Sequence, residues 1–106
     1  MQYDKTKWVE NQTNGDYLPI GSVVKSDGLE QKVVIIGKLQ YNGGNTDKLS
    51  DYAGVDYPVG FLNPKEIWMF DAYKIKEVIH KGYVDETETA LNQKIAQFWK
   101  QHPEKR

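Results

Sequence analysis

KVVIIGKL, residues 32–39, is the stretch on which the fold turns. Four consecutive β-branched residues, Val33 to Ile36, stiffen the backbone toward extended geometry, and the run is too short for a typical helix. Gly37 inside it predicts a bulge or a sharp bend, which a small curled sheet needs where a strand turns a corner. Upstream, Pro19 keeps Leu18 out of the helical region. Residues 22–25, SVVK, read as a short strand, and Asp27-Gly28 is a hairpin-type turn signal. Downstream, residues 42–51, NGGNTDKLSD, read as a loop at the hairpin tip. A third strand follows over 52–57, closed by Pro58 and Gly60. After the Asn63-Pro64 turn, residues 67–70 supply a fourth.

Asp71 suits the cap of a single helical turn over 72–75. Residues 77–83, EVIHKGY, read as a fifth strand, because Val78 and Ile79 are β-branched and Gly82 argues against a continuing helix. A longer helix over 71–80 is the competing reading. Asp85 to Glu88 reads as a capping box, with Asp85 at the N-cap and Glu88 reaching back. Leu91, Ile95, Phe98 and Trp99 then recur at helical spacing, and Pro103 ends the helix. The expected architecture is mainly β (α+β): a small SH3-like, five-stranded half-open barrel over 17–84, with an amphipathic C-terminal helix over 85–102 packed on or beside it. Residues 1–16 read as a polar arm in which Trp8 docks.

At 106 residues the chain is one domain by size. Fourteen basic against fifteen acidic residues leave a net charge of −1, with no cationic surplus to attract a phosphate backbone. The absence of cysteine excludes disulfides, thiolate zinc sites and thiol nucleophiles, and fits a reducing cytosol. The first sixteen residues hold no continuous apolar stretch, and no window approaches a membrane span, so a cytoplasmic location is expected.

Motifs for catalysis fail in turn. Gly37, Gly43 and Gly44 match neither a phosphate-binding loop nor a dinucleotide fingerprint. His80 has no nucleophile suggested beside it, and His102 suits a helix end, where a cation offsets terminal carbonyls. No spacing gathers metal ligands, and the acidic run 85–88 is explained by helix capping. The expectation is therefore no enzyme, no cofactor and no metal.

What stands out is the ring-rich set Tyr41, Tyr52, Tyr57, Trp68, Phe70 and Tyr83. Part of it fills a small core, where large side chains contribute most. The remainder suits a protein-binding face, since Tyr and Trp dominate interface hot spots. Tyr52, Tyr57, Phe61, Trp68, Phe98 and Trp99 are the expected partner-binding residues. Stacking on nucleic-acid bases is the weaker alternative, because residues 51–64 carry no Lys or Arg to accompany the rings.

The blocks LPIGSVVK (18–25), VVIIGKLQ (33–40), DYAGVDYPVGF (51–61) and MFDAYKIKEVIHKGYVDETE (69–88) carry a resemblance. In this order they are similar to an uncharacterised domain-of-unknown-function family of small Gram-positive bacterial proteins, encoded beside LXG toxins of type VII secretion. The likeness covers about residues 17–90. Ala72 stands where members of that family often carry His, which argues against catalysis at that position. The resemblance implies a cytoplasmic accessory protein, a chaperone or targeting adaptor for an LXG toxin. Its expected partner is a protein, with no nucleic acid and no membrane, the chain itself being a monomer or weak dimer. A toxin immunity protein and a nucleic-acid-binding barrel are the alternatives.

Overall fold

Asp27-Gly28 makes the predicted turn, with Gly28 at φ +83°, between strands β1 (Val23–Ser26) and β2 (Val33–Tyr41). The computed structural model describes residues 17–41 and 47–105; the arm expected over 1–16, with Trp8, lies outside the described residues. β3 (Leu49–Asp56), β4 (Trp68–Phe70), β5 (Ile75–His80) and one helix, α1 (Glu86–Gln101), complete the main elements. Short 3-10 turns, Pro64–Glu66 and Ala72–Lys74, precede β4 and β5. The sheet is antiparallel throughout, in the order β4-β3-β2-β1-β5. It is mainly β and open, with β4 and β5 as its two edges.

The largest boundary differences from the sequence reading lie in β3 and β5. β3 begins at Leu49, inside the expected loop, because Ser50 and Leu49 pair with Gln40 and Tyr41. β5 starts at Ile75 and ends at His80, since Ile75, Glu77, Val78 and His80 all register on β1. Cross-strand pairing thus claims the segment that a longer helix over 71–80 would have needed. Asp71 does occupy the cap position of the Ala72–Lys74 turn, but its side chain makes no capping bond. It accepts instead from the Asp51 backbone N–H, 3.2 Å away.

The bulge expected at Gly37 falls between Ile35 and Gly37. It does more than bend β2. Side chains alternate along a strand, so one extra residue moves the remainder to the opposite face. Before the bulge, Val33 and Ile35 point into the core while Ile36 is exposed. After it, Lys38 pairs with the buried Tyr52 and faces the helix. The bulge therefore sets which side of β2 meets α1.

The core comprises Val24, Val33, Ile35, Tyr52, Phe70, Ala72 and Ile75 from the sheet and its turns, closed by Tyr17 and by Ile95 and Trp99 of α1. The rings of Tyr17, Tyr52 and Phe70 form a chain with centroids 5.4 and 5.7 Å apart, tilted against one another. The helix seats itself differently from the predicted stripe. Ile95 and Trp99 are buried, but Leu91 is exposed, Phe98 is half-buried, and Asn92 and Ala96 complete the inward face.

Gly54 lies where β3 passes closest to its neighbours. A Cβ there would fall 2.4 Å from Val33 Cγ1 and 3.0 Å from the Val34 carbonyl oxygen. Both atoms belong to the sheet and yield little. Gly54→Ala is expected to cost about 1–3 kcal/mol, the usual range for overpacking a core. A lowered thermal midpoint would show it; an unchanged midpoint would mean that β2 and β3 are not this close.

Candidate functional site

Two arrangements compete for the role of functional site: a buried polar network and an exposed apolar strip. The network is built on Asp51, a buried residue of β3. One carboxylate oxygen accepts from the Tyr17 hydroxyl at 2.5 Å, and the other from the Ala72 backbone N–H at 2.9 Å. The Tyr17 hydroxyl in turn accepts from the Trp99 indole N–H at 2.8 Å, and its carbonyl accepts from the Asn92 amide at 3.2 Å. The Tyr52 hydroxyl accepts from the Leu18 backbone N–H at 2.8 Å. Every contact joins segments remote in sequence.

A second polar contact pins the other end of α1. Asp85 caps the helix as expected, its carboxylate accepting from the Glu88 N–H at 3.0 Å. The other half of the predicted capping box gives way: the Glu88 carboxylate turns to the Lys38 ammonium, which also donates to Asn92 at 2.9 Å. The two side chains are 3% and 11% exposed. Desolvation pulls the Lys38 pKa below its usual value, and the bond and charge of Glu88 oppose that fall. A pair this buried is costly to break, because either member alone is a buried, uncompensated charge.

Among the described residues no group of three or more His, Asp or Glu is placed to hold a metal ion. His80 is exposed on β5, and His102 sits at the end of α1 beside Glu104. The network serves to hold the sheet, residues 17–18 and the helix together.

The exposed strip is a different surface. β3 ends at Asp56, and the chain makes a turn closed by the Gly60 N–H donating to the Asp56 carbonyl at 2.7 Å. Tyr57, Val59, Phe61 and Leu62 emerge from this stretch exposed, Phe61 and Leu62 at 58% and 59%. Trp68 joins them from β4 at 36% exposure. Its indole N–H donates to the Asp56 carboxylate at 2.6 Å, and the same oxygen accepts from the Gln31 amide at 3.0 Å. The Lys32 ammonium lies over the Tyr57 ring, 5.7 Å from its centroid. Trp68 also borders an open groove of about 250 Å³, lined in part by Leu29, Met69, Phe70 and Lys74.

The six expected partner-binding residues therefore separate. Tyr57, Phe61 and Trp68 share the exposed strip, and Phe98 is half-buried on α1. Tyr52 and Trp99 lie in the core at 0% and 3% exposure, which takes them out of any contact surface. The physical reason is the same for both: each polar tip finds an interior partner, so the whole ring can be buried. Val59 and Leu62 belong to the strip and were not singled out from sequence. Their signal was an apolar run after Pro58 without the alternation of a half-buried strand.

Burial fixes the protonation of the two core tyrosines. Desolvation pushes both phenols well above the ordinary value, and the charge of Asp51 pushes Tyr17 further. Both stay neutral in the folded chain at pH values where unfolded tyrosines ionise, so their contribution is complete below about pH 10 and is lost above it. Urea midpoints should fall between about pH 9 and 11, with a slope of up to about 1.4 kcal/mol per pH unit for each tyrosine. Tyr17→Phe should flatten that fall; an identical alkaline slope in the variant would disprove the burial assigned to Tyr17.

No helix among the described residues is long and apolar enough to cross a membrane. No curated protein and no solved structure matches the chain. A family model does match, over residues 17–91, from just ahead of the first strand into the first turns of α1, and so spans the whole sheet. The chain accordingly belongs to the family described as Domain of unknown function, DUF4176.

Proposed function

We propose that this protein is a non-enzymatic protein-binding accessory, acting in the cytoplasm as a chaperone or targeting adaptor. The observation that carries the reading is the strip Tyr57, Val59, Phe61 and Leu62, four exposed apolar side chains within six residues, continued by Trp68. Apolar residues scattered singly over a surface need no explanation, but a contiguous run is the usual mark of an interaction site. Aromatic members strengthen the case, since Tyr and Trp supply large contact area at small conformational cost. The buried polar groups are consumed in holding the fold, which supports a binding role over a catalytic one. In this reading the sheet is an SH3-like small barrel; the strand order and the single 3-10 turn before β5 support that frame.

The partner we propose is an LXG-type toxin of type VII secretion. The basis is the resemblance carried by the blocks at 18–25, 33–40, 51–61 and 69–88. A stable complex would cover about 800 Å² on each side, which the strip and the adjoining groove would supply only in part. Neighbouring residues of β4 and its preceding turn would complete it.

The test is capture of the adjacently encoded LXG toxin by the tagged chain, compared with a Phe61→Ser/Leu62→Ser variant. Wild type is expected to retain the toxin and the variant to lose it. Both side chains are exposed, so the variant's thermal stability should stay within about 0.5 kcal/mol of wild type. Wild type that retains no toxin would overturn the partner assignment. Equal retention by the variant would remove the strip from the interface. Protection of intoxicated cells without any effect on secretion would convert the reading to an immunity protein.

A further inference from the structure

We infer that Asp56 is the positioning residue of this surface: its carboxylate fixes the Trp68 indole and leaves only the ring's carbon face for an apolar partner side chain. The inference rests on the proposed binding role and goes beyond it by assigning a residue that makes no partner contact of its own. Trp68 lies on β4, an edge strand of three residues paired with the sheet on one side. A side chain there, more than one-third exposed, would ordinarily sample several rotamers, and ordering them on binding would cost affinity. The structure removes that cost in advance. Asp56 Oδ1 accepts from Trp68 Nε1 at 2.6 Å, a charge-assisted bond of the short kind. The carboxylate is itself held by Gln31, which donates to the same oxygen at 3.0 Å.

The geometry also selects the partner chemistry. An exposed indole usually offers its N–H to an acceptor on the other chain. Here the N–H is already spent, so a carboxylate or carbonyl reaching for it would have to displace Asp56. What remains is carbon surface beside the open groove, whose lining mixes Leu29, Met69 and Phe70 with the polar Asp27, Asp71 and Lys74. The side chain that docks on Trp68 is therefore aliphatic or aromatic, belonging to a segment of the bound protein.

A double-mutant cycle tests this, because a residue that acts only through the Trp68 N–H has nothing to act on when that N–H is gone. Capture of the LXG toxin is measured for Asp56→Ala, Trp68→Phe and the double variant. Asp56→Ala is expected to weaken binding about tenfold in wild type and hardly at all in the Trp68→Phe background. Asp56→Asn, which keeps an acceptor oxygen, should recover most of the loss. An equal loss in both backgrounds would overturn the inference, since Asp56 would then act on the partner or on folding. The Trp68 indole N–H is read independently by NMR hydrogen exchange in the unbound chain. It should be protected in wild type and in Asp56→Asn, and exposed to exchange in Asp56→Ala. Unprotected exchange in wild type would sink the positioning role whatever the partner is. Protected exchange with no toxin captured would instead count against the proposed partner and uphold the positioning role.

Discussion

One carboxylate, that of Asp51, decides where three distant parts of the chain must lie. A buried carboxylate is tolerable only if donors surround it, and here they come from residue 17 and from the turn that opens at Ala72. Asp51's own backbone N–H is taken by Asp71, so the contact between β3 and that turn is doubled. The segment entering β5 is thereby held against the middle of the sheet. Tyr17 passes the constraint on: its hydroxyl receives Trp99 and its carbonyl receives Asn92. The helix is placed by hydrogen bonds as much as by apolar fit. Ile95 and Ala96 fill the space between two polar anchors, Tyr17 at one point and Lys38 with Glu88 at the other.

That division explains what could be read in the amino-acid sequence and what could not. β2 was legible because four β-branched residues in a row leave few alternatives, and the position of its bulge was legible because Gly37 interrupts them. The start of α1 was legible because Asp85 caps locally, three residues from its acceptor's donor. Local signals of this kind need no knowledge of the rest of the chain. Asp51 and Tyr17 were opaque for the opposite reason. They lie 34 residues apart, Asp51 at the end of a stretch that reads as a loop, and nothing in the neighbourhood of either one names the other. Glu88 shows the same limit. Its spacing from Asp85 promises a capping box, but a lysine fifty residues away offers a stronger bond.

The phase of β2 is the link between the local and the distant signals. Without the extra residue before Gly37, Lys38 would continue on the outward face with Val34 and Ile36. The bulge turns it toward α1, where Glu88 and Asn92 meet it. Asn92 in turn occupies the inward position that the apolar spacing had suggested for Leu91, and Leu91 is left exposed. A polar contact has thus rotated the buried face of the helix away from the one its leucine and aromatics would choose. Patterning finds the helix, but the sheet decides which stripe it buries.

The same logic sorts the aromatic rings. A tyrosine or tryptophan can be fully enclosed only where its polar tip has a partner inside. Tyr52 finds Leu18 and Trp99 finds Tyr17, so both disappear into the core. Trp68 also has its tip satisfied, but by Asp56 at the end of β3, and its ring stays more than one-third exposed. Its ring is held at the surface by the bond that spares it the cost of an unpaired N–H. Tyr57 to Leu62 follow β3 past that same point: the Tyr57 N–H still donates to the Lys32 carbonyl at 2.9 Å, but the side chains of Tyr57, Val59, Phe61 and Leu62 are exposed. Their apolar surface follows from where the sheet ends, and the bound polypeptide proposed above would remove it from water.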